Sequence, residues 1–300
     1  MTILVAGATG VLGRALVPQL ISGRHHVRAI ARSASTAGIA AKAEAIDADL
    51  LEDDLVELVD GCDAVVHIAT AIPTDPSHAG AWELTARLRT VGTRRLLDAA
   101  LACRVRRFIQ QSIVMAYQDG GDVWLDEAAP LDDSPERAAI CGPVIAMETM
   151  IREVEPQTLA WTILRGGSFV GAGTGENALI ERLRTGHLVV AGDGSNYVSL
   201  VNVADMASAV AAALERAPAG STFNVVDEPL RYGDYVDAVA DLIGASRPQR
   251  APELPLPPSW RCSNRAAQAT LRWIPRQRIW PAASALQPMD ARRAPRNRGG

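Results

Sequence analysis

Apolar positions along the chain fall into short blocks, each followed by about a helix's length of periodic sequence. Ile3 to Ala6 form an apolar run suited to a buried strand, and Val11, Leu12, Ala15, Leu16 and Leu20 follow at helical spacing. The alternation then repeats. VRAIAR from Val27 to Arg32 and EAIDADL from Glu44 to Leu50 read as strands, Leu55, Leu58 and Val59 as a short helix, and DAVVHIATAIP from Asp63 to Pro73 as a strongly apolar strand. Trp82 to Ala102 has a long helical period, and RRFIQQSIVMAY from Arg106 to Tyr117 is a fifth strand with its outgoing loop. Strands alternating with helices predict a parallel sheet covered on both faces, and right-handed crossovers make it doubly wound.

Gly120 to Pro135 is acidic and rich in turn residues, which predicts a loop over the strand ends. A helix from about Pro143 to Val154 follows, then the strand LAWTILRGGSFVG from Leu159 to Gly171. Later come a helix around Leu179 to Arg184, the piece from Ala191 to Glu215 with a helix starting at Asp205, the strand FNVVDEP from Phe223 to Pro229, and a helix from Tyr235 to Ile243. These pieces are expected to form a smaller lobe facing the strand ends, where ligands of open α/β sheets bind. Ala251 to Pro258 reads as a surface linker. The expected division is 1–165 for the main sheet, 166–280 for the smaller lobe interleaved with it, and 281–300 for a disordered tail rich in Arg, Pro and Gly.

Composition narrows the partners. A chain of 300 residues that is 48% hydrophobic buries a large core, and a net charge of −4 argues against nucleic acid and acidic membrane surfaces. No apolar run reaches the roughly 18 residues of a membrane span, and the first residues already form a core strand, so a cytoplasmic protein acting on a small molecule is expected. Cys62, Cys103, Cys141 and Cys262 lack disulfide or metal-ligand spacing. Lys42 is the only lysine.

The turn after the first strand carries the chemistry. Gly7 lets the chain leave the strand sharply, Gly10 removes the side chain that would block a pyrophosphate, and Gly13 lets the helix pack closely on the sheet. The helix N-terminus then offers free N–H groups to phosphates.

With these landmarks in order, the chain resembles the extended short-chain dehydrogenase/reductase superfamily, the branch of NAD(P)-dependent epimerase/dehydratase-like proteins, over about Thr2 to Pro275. GATGVLG matches its glycine fingerprint with Ala6 at the usual Thr, DADL from Asp47 to Leu50 its adenine-contacting segment, and HIATA from His67 to Ala71 the strand end beside the nicotinamide ribose. LRGGSFVG, GDGSNYVSLVNVADMA, FNVVDEP and SNRAAQATLRWIP resemble later signatures. Arg272 replaces a glycine, and Arg89 stands where the family has a structurally important Asn. The resemblance implies a Rossmann-type fold with a C-terminal substrate-binding lobe. It also implies a homodimer through the helices of Trp82–Ala102 and Pro143–Val154. The implied cofactor contacts are Gly7, Thr9, Gly10, Val11, Leu12, Gly13, Arg32, Ser33, Asp49, Leu50, Ala69, Thr70, Ala71, Gly167, Ser168 and Phe169. A basic residue at the end of the second strand pairs with the 2′-phosphate of NADP, so Arg32 with Ser33, and Arg28 on the same alternation, favour NADP over NAD.

Family enzymes move a proton with a Ser or Thr and a Tyr-x-x-x-Lys pair. Aligned here, Ile113 falls at the hydroxyl, Ile140 at the Tyr and Val144 at the Lys, while Ser112 is one place early, and no shift of register restores the pair. Tyr117 is the leading substitute proton donor, with Ser112 and His67 beside it and Cys141 as a further nucleophile. Ile113, Ile140, Val144, Arg165, Asn196 and Tyr197 are the expected substrate contacts, with Arg165 holding an anion or pairing with a loop carboxylate. Three functions remain open at this point: NADP-dependent hydride transfer on a small apolar substrate, a non-redox dehydratase, isomerase or cyclase, and a non-catalytic NADP(H) sensor or scaffold.

Overall fold

The computed structural model describes residues 1–73 and 78–277. Seven strands make one parallel sheet: β1 (Thr2–Ala6), β2 (His26–Ala31), β3 (Glu44–Asp47), β4 (Ala64–His67), β5 (Arg107–Ile113), β6 (Ala160–Gly166) and β7 (Ser221–Val225). Their spatial order is β7-β6-β5-β4-β1-β2-β3. The order reverses at β1, which lies between β2 and β4, and such a reversal opens a crevice at the carboxyl ends of the strands. β1 and β4 are buried on both faces, which explains their unbroken apolar runs.

One face is covered by α1 (Val11–Ser22) and α7 (Val203–Arg216), the other by α2 (Leu55–Val59), α4 (Thr93–Ala102) and α5 (Ala138–Arg152). Two elements expected in the smaller lobe belong to this main layer. β7 pairs in parallel with β6, and α7 packs against α1. The small residues Ala207, Ala209 and Ala213 let α7 sit close on the sheet, in the same buried cluster as Ile109 of β5 and Leu164 of β6.

The remaining lobe gathers α6 (Glu176–Arg184) and α8 (Tyr232–Ile243) around Leu183, Val190, Leu200, Tyr235 and Val239. The Gly120–Pro135 segment is stapled rather than free. Its Trp124–Leu125 strand pairs in parallel with Arg261–Cys262, and Asp119 accepts a hydrogen bond from the Ser259 amide at 3.0 Å.

Two helices differ from the periodicity. α5 begins at Ala138, so Pro143 lies inside it, where it forfeits one helical hydrogen bond. The Trp82–Ala102 period is α3 (Glu83–Arg87), a π turn (Leu88–Gly92) and then α4. The tail expected over 281–300 lies outside the described residues.

Candidate active site

The glycine turn after β1 is shaped by backbone contact. Gly7 adopts φ +97°, and a Cβ there would stand 2.7 Å from Ala69 beyond β4. A Cβ on Gly13 would meet the Ala8 and Gly7 carbonyl oxygens at 2.4 Å. Gly10 is exposed, and a Cβ there would meet nothing closer than the Gly7 oxygen at 3.3 Å, so the space above it is open. Helix α1 starts there with no side-chain cap and no acidic residue in its first turn. Its leading N–H groups therefore face outward unpaired, which is the donor set a pyrophosphate requires. Val11 is exposed beside it, while Leu12 is buried and anchors the helix to the sheet.

At the other end of this crevice, Arg32 and Ser33 are exposed just past β2. Asp47, the nearby carboxylate, is spoken for: the Ser35 hydroxyl and amide donate to it at 2.6 and 2.8 Å and hold its carboxyl below the ordinary range. Arg14 reaches across from α1 to the Thr9 and Ala37 carbonyls, adding a second guanidinium to this corner. Arg28 does not contribute. It bonds Glu44 and the Leu58 and Asp60 carbonyls, and it sits one residue pair into β2 from its start, far from the carboxyl ends. Asp49 and Leu50 follow β3, with Asp49 accepting from the Leu51 amide.

The expected proton-transfer residues are brought together, but as an internal network. Ser112, Arg165 and Asn224 are register neighbours across β5, β6 and β7, so their side chains line one rung. Glu148 descends from α5 onto that rung and binds Arg165 Nη2 at 2.6 Å and Nε at 2.9 Å, and the Ser112 hydroxyl donates to the same carboxylate at 2.7 Å. Burial alone would raise the Glu148 carboxyl, but the hydrogen bonds and charge of Arg165 outweigh it and hold it below the usual value. Tyr117 is fully buried. Its hydroxyl donates to Asn224 at 2.8 Å and accepts from Arg165 at 2.7 Å, and burial pushes its pKa well up.

This geometry removes three expected roles. Tyr117 and Ser112 have no open side from which to give a substrate a proton, and Arg165 has its donors committed to the Glu148 carboxylate, Tyr117 and the Glu127 carbonyl rather than to a substrate anion. His67 is removed by a different cause. It is fully buried, contacts the Leu88 carbonyl at 3.3 Å through Nε2, and desolvation lowers it to about 4, so it is a neutral ring at the end of β4. The Cys141 thiol is also buried, and burial raises it despite Arg137 and Arg89.

The positions aligned with the family's proton-transfer groups are apolar and packed. Ile113, Cys141 and Val144 share one buried cluster, with Ile140 and Leu88 packed against it. Arg89, in the π turn beside α5, is 4% exposed and has no hydrogen bond or ion pair among the described residues. Ala69, Ala71 and Thr70 continue from β4 to the crevice, and Ala71 is tied to Thr85 of α3.

On the lobe side, Gly167 packs with no room for a Cβ against Ser199, Ser168 donates to the Met115 sulfur, and Phe169 is half-buried. The Tyr197 ring is clamped between the Arg231 and Arg261 guanidiniums at 4.4 and 4.8 Å. Asn196 is buried, and its Oδ1 finds no partner among the described residues.

The chain belongs to the NAD dependent epimerase/dehydratase family, whose model matches residues 3–226. It is 33% identical to a Streptomyces sp 3-diazoavenalumate denitrifying reductase, across 93% of this chain and 98% of that protein. A 2-alkyl-3-oxoalkanoate reductase of Stenotrophomonas maltophilia is 28% identical across 84% of this chain and 78% of its own. Among solved structures, the UDP-glucuronic acid 4-epimerase of Bacillus cereus, bound to a fluorinated sugar nucleotide and NAD, superposes with a TM-score of 0.81 at 20% identity over 93% of this chain and 95% of that one. The fold is thus that of the family, and reductases stand among the relatives by sequence. No helix of the described residues is long and apolar enough to cross a membrane.

Proposed function

We propose that the protein is an NADP-dependent reductase whose reaction takes a hydride from the cofactor and needs no proton from the protein, the reductive loss of nitrogen from a diazo-bearing carboxylate. The observation that supports this reading is that the positions aligned with the family's proton-transfer groups hold Ile113, Ile140 and Val144, while Tyr117, Ser112 and His67 are tied to interior partners. Reducing a ketone leaves an alkoxide that a positioned acid must quench, and losing such an acid costs about 10² to 10⁴ in rate. NADPH, when bound, supplies a hydride that replaces a diazonium group by hydrogen with release of N2, R–N2⁺ + H⁻ → R–H + N2, so charge and atoms balance without a proton.

The side chains present suit such an electrophile. A lysine amine or a tyrosine phenolate within reach would couple to it, whereas isoleucine and valine are inert, and Lys42 is exposed in the segment before β3. Arg32, supported by Arg14, would hold the 2′-phosphate of NADP, and the N–H groups at the start of α1 the pyrophosphate. The 3-diazoavenalumate denitrifying reductase, similar along nearly the whole chain, supports the same choice of substrate class.

The test is incubation of the purified protein with 3-diazoavenalumate and deuterium-labelled NADPH. NADPH consumption and N2 release in equal amounts are expected, with the deuterium found on the product carbon. Deuterium arriving from D2O solvent instead, or faster turnover of a 2-alkyl-3-oxoalkanoate than of the diazo compound, would overturn the reading.

A further inference from the structure

A guanidinium carries five donors and a permanent charge, and burying it without a partner costs several kcal/mol. Arg89 is in that position, 96% removed from solvent, with no hydrogen bond or ion pair among the described residues. Burial lowers it to about 10, which still leaves it charged at neutral pH, and the one titratable group acting on it is the Cys141 thiol on α5. Among the described residues no carboxylate offsets it.

Its location is fixed from several sides. The Leu88 carbonyl, next to it in the π turn, meets His67 Nε2 at the end of β4, and Gly92 of the same turn faces that ring. Cys141 follows Ile140 and lies one helical turn short of Val144 on α5. Arg89 therefore stands against the apolar reaction end, between the strand ends and the helix that elsewhere in the family carries the proton-transfer pair.

We infer that Arg89 is the receptor for the substrate's carboxylate, clamping the anionic end of the molecule while the apolar wall receives its body. The inference rests on the reading that this face is the reaction end. It identifies the substrate class independently of the bond that is broken: a flat, apolar molecule carrying a carboxylate. A buried guanidinium gains most from a planar oxyanion it can bind through two parallel hydrogen bonds. The partner is assigned to the substrate rather than the cofactor because the phosphates have their own donors at the start of α1 and at Arg32.

The experiment is calorimetric titration of the protein, saturated with NADP⁺, with trans-cinnamate and with its neutral counterpart trans-cinnamamide. Cinnamate should bind about 10- to 100-fold more tightly, the size expected of a charge-assisted hydrogen-bonded pair. Arg89→Gln should erase that preference and Arg89→Lys should keep part of it. In the unliganded protein Arg89→Gln should not lower the thermal midpoint, since it removes an unpaired buried charge, and this separates ligand loss from misfolding. Equal affinity of the wild type for the two probes, or failure to bind either, overturns the inference. So does a retained preference in Arg89→Gln coupled with a more than tenfold loss of NADPH affinity, which would give the guanidinium to a cofactor phosphate. NADPH binding followed separately by nicotinamide fluorescence reports on the cofactor reading and on none of these ratios.

Discussion

Arg165 and Arg89 are buried to almost the same degree, 3% and 4% exposed, and they lie on elements packed against the same helix, α5. Arg165 is bonded to Glu148 through two nitrogens, to the Tyr117 hydroxyl and to the Glu127 carbonyl, and its pKa is raised because these partners outweigh its burial. Arg89 has none of these and is lowered by burial. Equal burial with opposite satisfaction separates a group that holds the fold from one that the fold holds open. Sequence position gives no such separation, since both residues are arginines beside apolar stretches.

The largest effect that would sharpen this contrast is on stability. Glu148→Gln leaves Arg165 buried and uncompensated and should cost about 3–5 kcal/mol in urea unfolding, whereas Arg89→Gln should cost nothing. Equal losses in the two variants would break the comparison. Next is acid sensitivity. His67 binds a proton at 6.5 when unfolded but only at about 4 in the fold, so between those values the unfolded chain carries more protons and stability rises with pH. The swing is roughly 3 kcal/mol by the size of the shift, and urea midpoints measured from pH 4 to 7 should flatten in His67→Gln. Glu148, held below its ordinary 4.5, contributes stability that is present above that value and lost only at lower pH, so the two groups act in successive windows.

A smaller effect concerns the crevice. Arg32→Ala should weaken NADPH about tenfold and leave NADH unchanged, as measured by nicotinamide fluorescence. Equal loss for both would remove the 2′-phosphate assignment. The smallest is Tyr117→Phe, which should lose about 1 kcal/mol of stability by removing its hydroxyl from the Arg165–Asn224 rung, with turnover unchanged. A large loss of turnover at intact stability would return Tyr117 to the chemistry.

The main sheet was legible because its strands are short apolar runs with a helical period between them, and the glycine turn because its three glycines have separate steric duties. β7 was legible as a strand from Phe223 but not as a member of the main sheet, since its neighbours in sequence belong to the lobe. The polar rung could not be read either. Ser112, Arg165 and Asn224 lie on three strands that only the parallel register brings side by side, and Glu148 reaches them from a helix. Arg89 was visible as a departure from the family's Asn, but nothing in the sequence says whether a buried arginine has a partner.

The π turn at Leu88–Gly92 makes this site sensitive to the length of the chain. A π turn holds one more residue than the α-helix around it, so a single-codon deletion within Leu88–Gly92 would let α3 and α4 wind on as one regular helix. Positions before the deletion would rotate by about 100° relative to those after it. The sheet and its cofactor crevice would survive the loss, while the charged side chain now enclosed beside α5 would be turned toward another face. Lineages of this fold could thus gain or lose a charged specificity element by a one-residue change in helix length, with every strand left as it was.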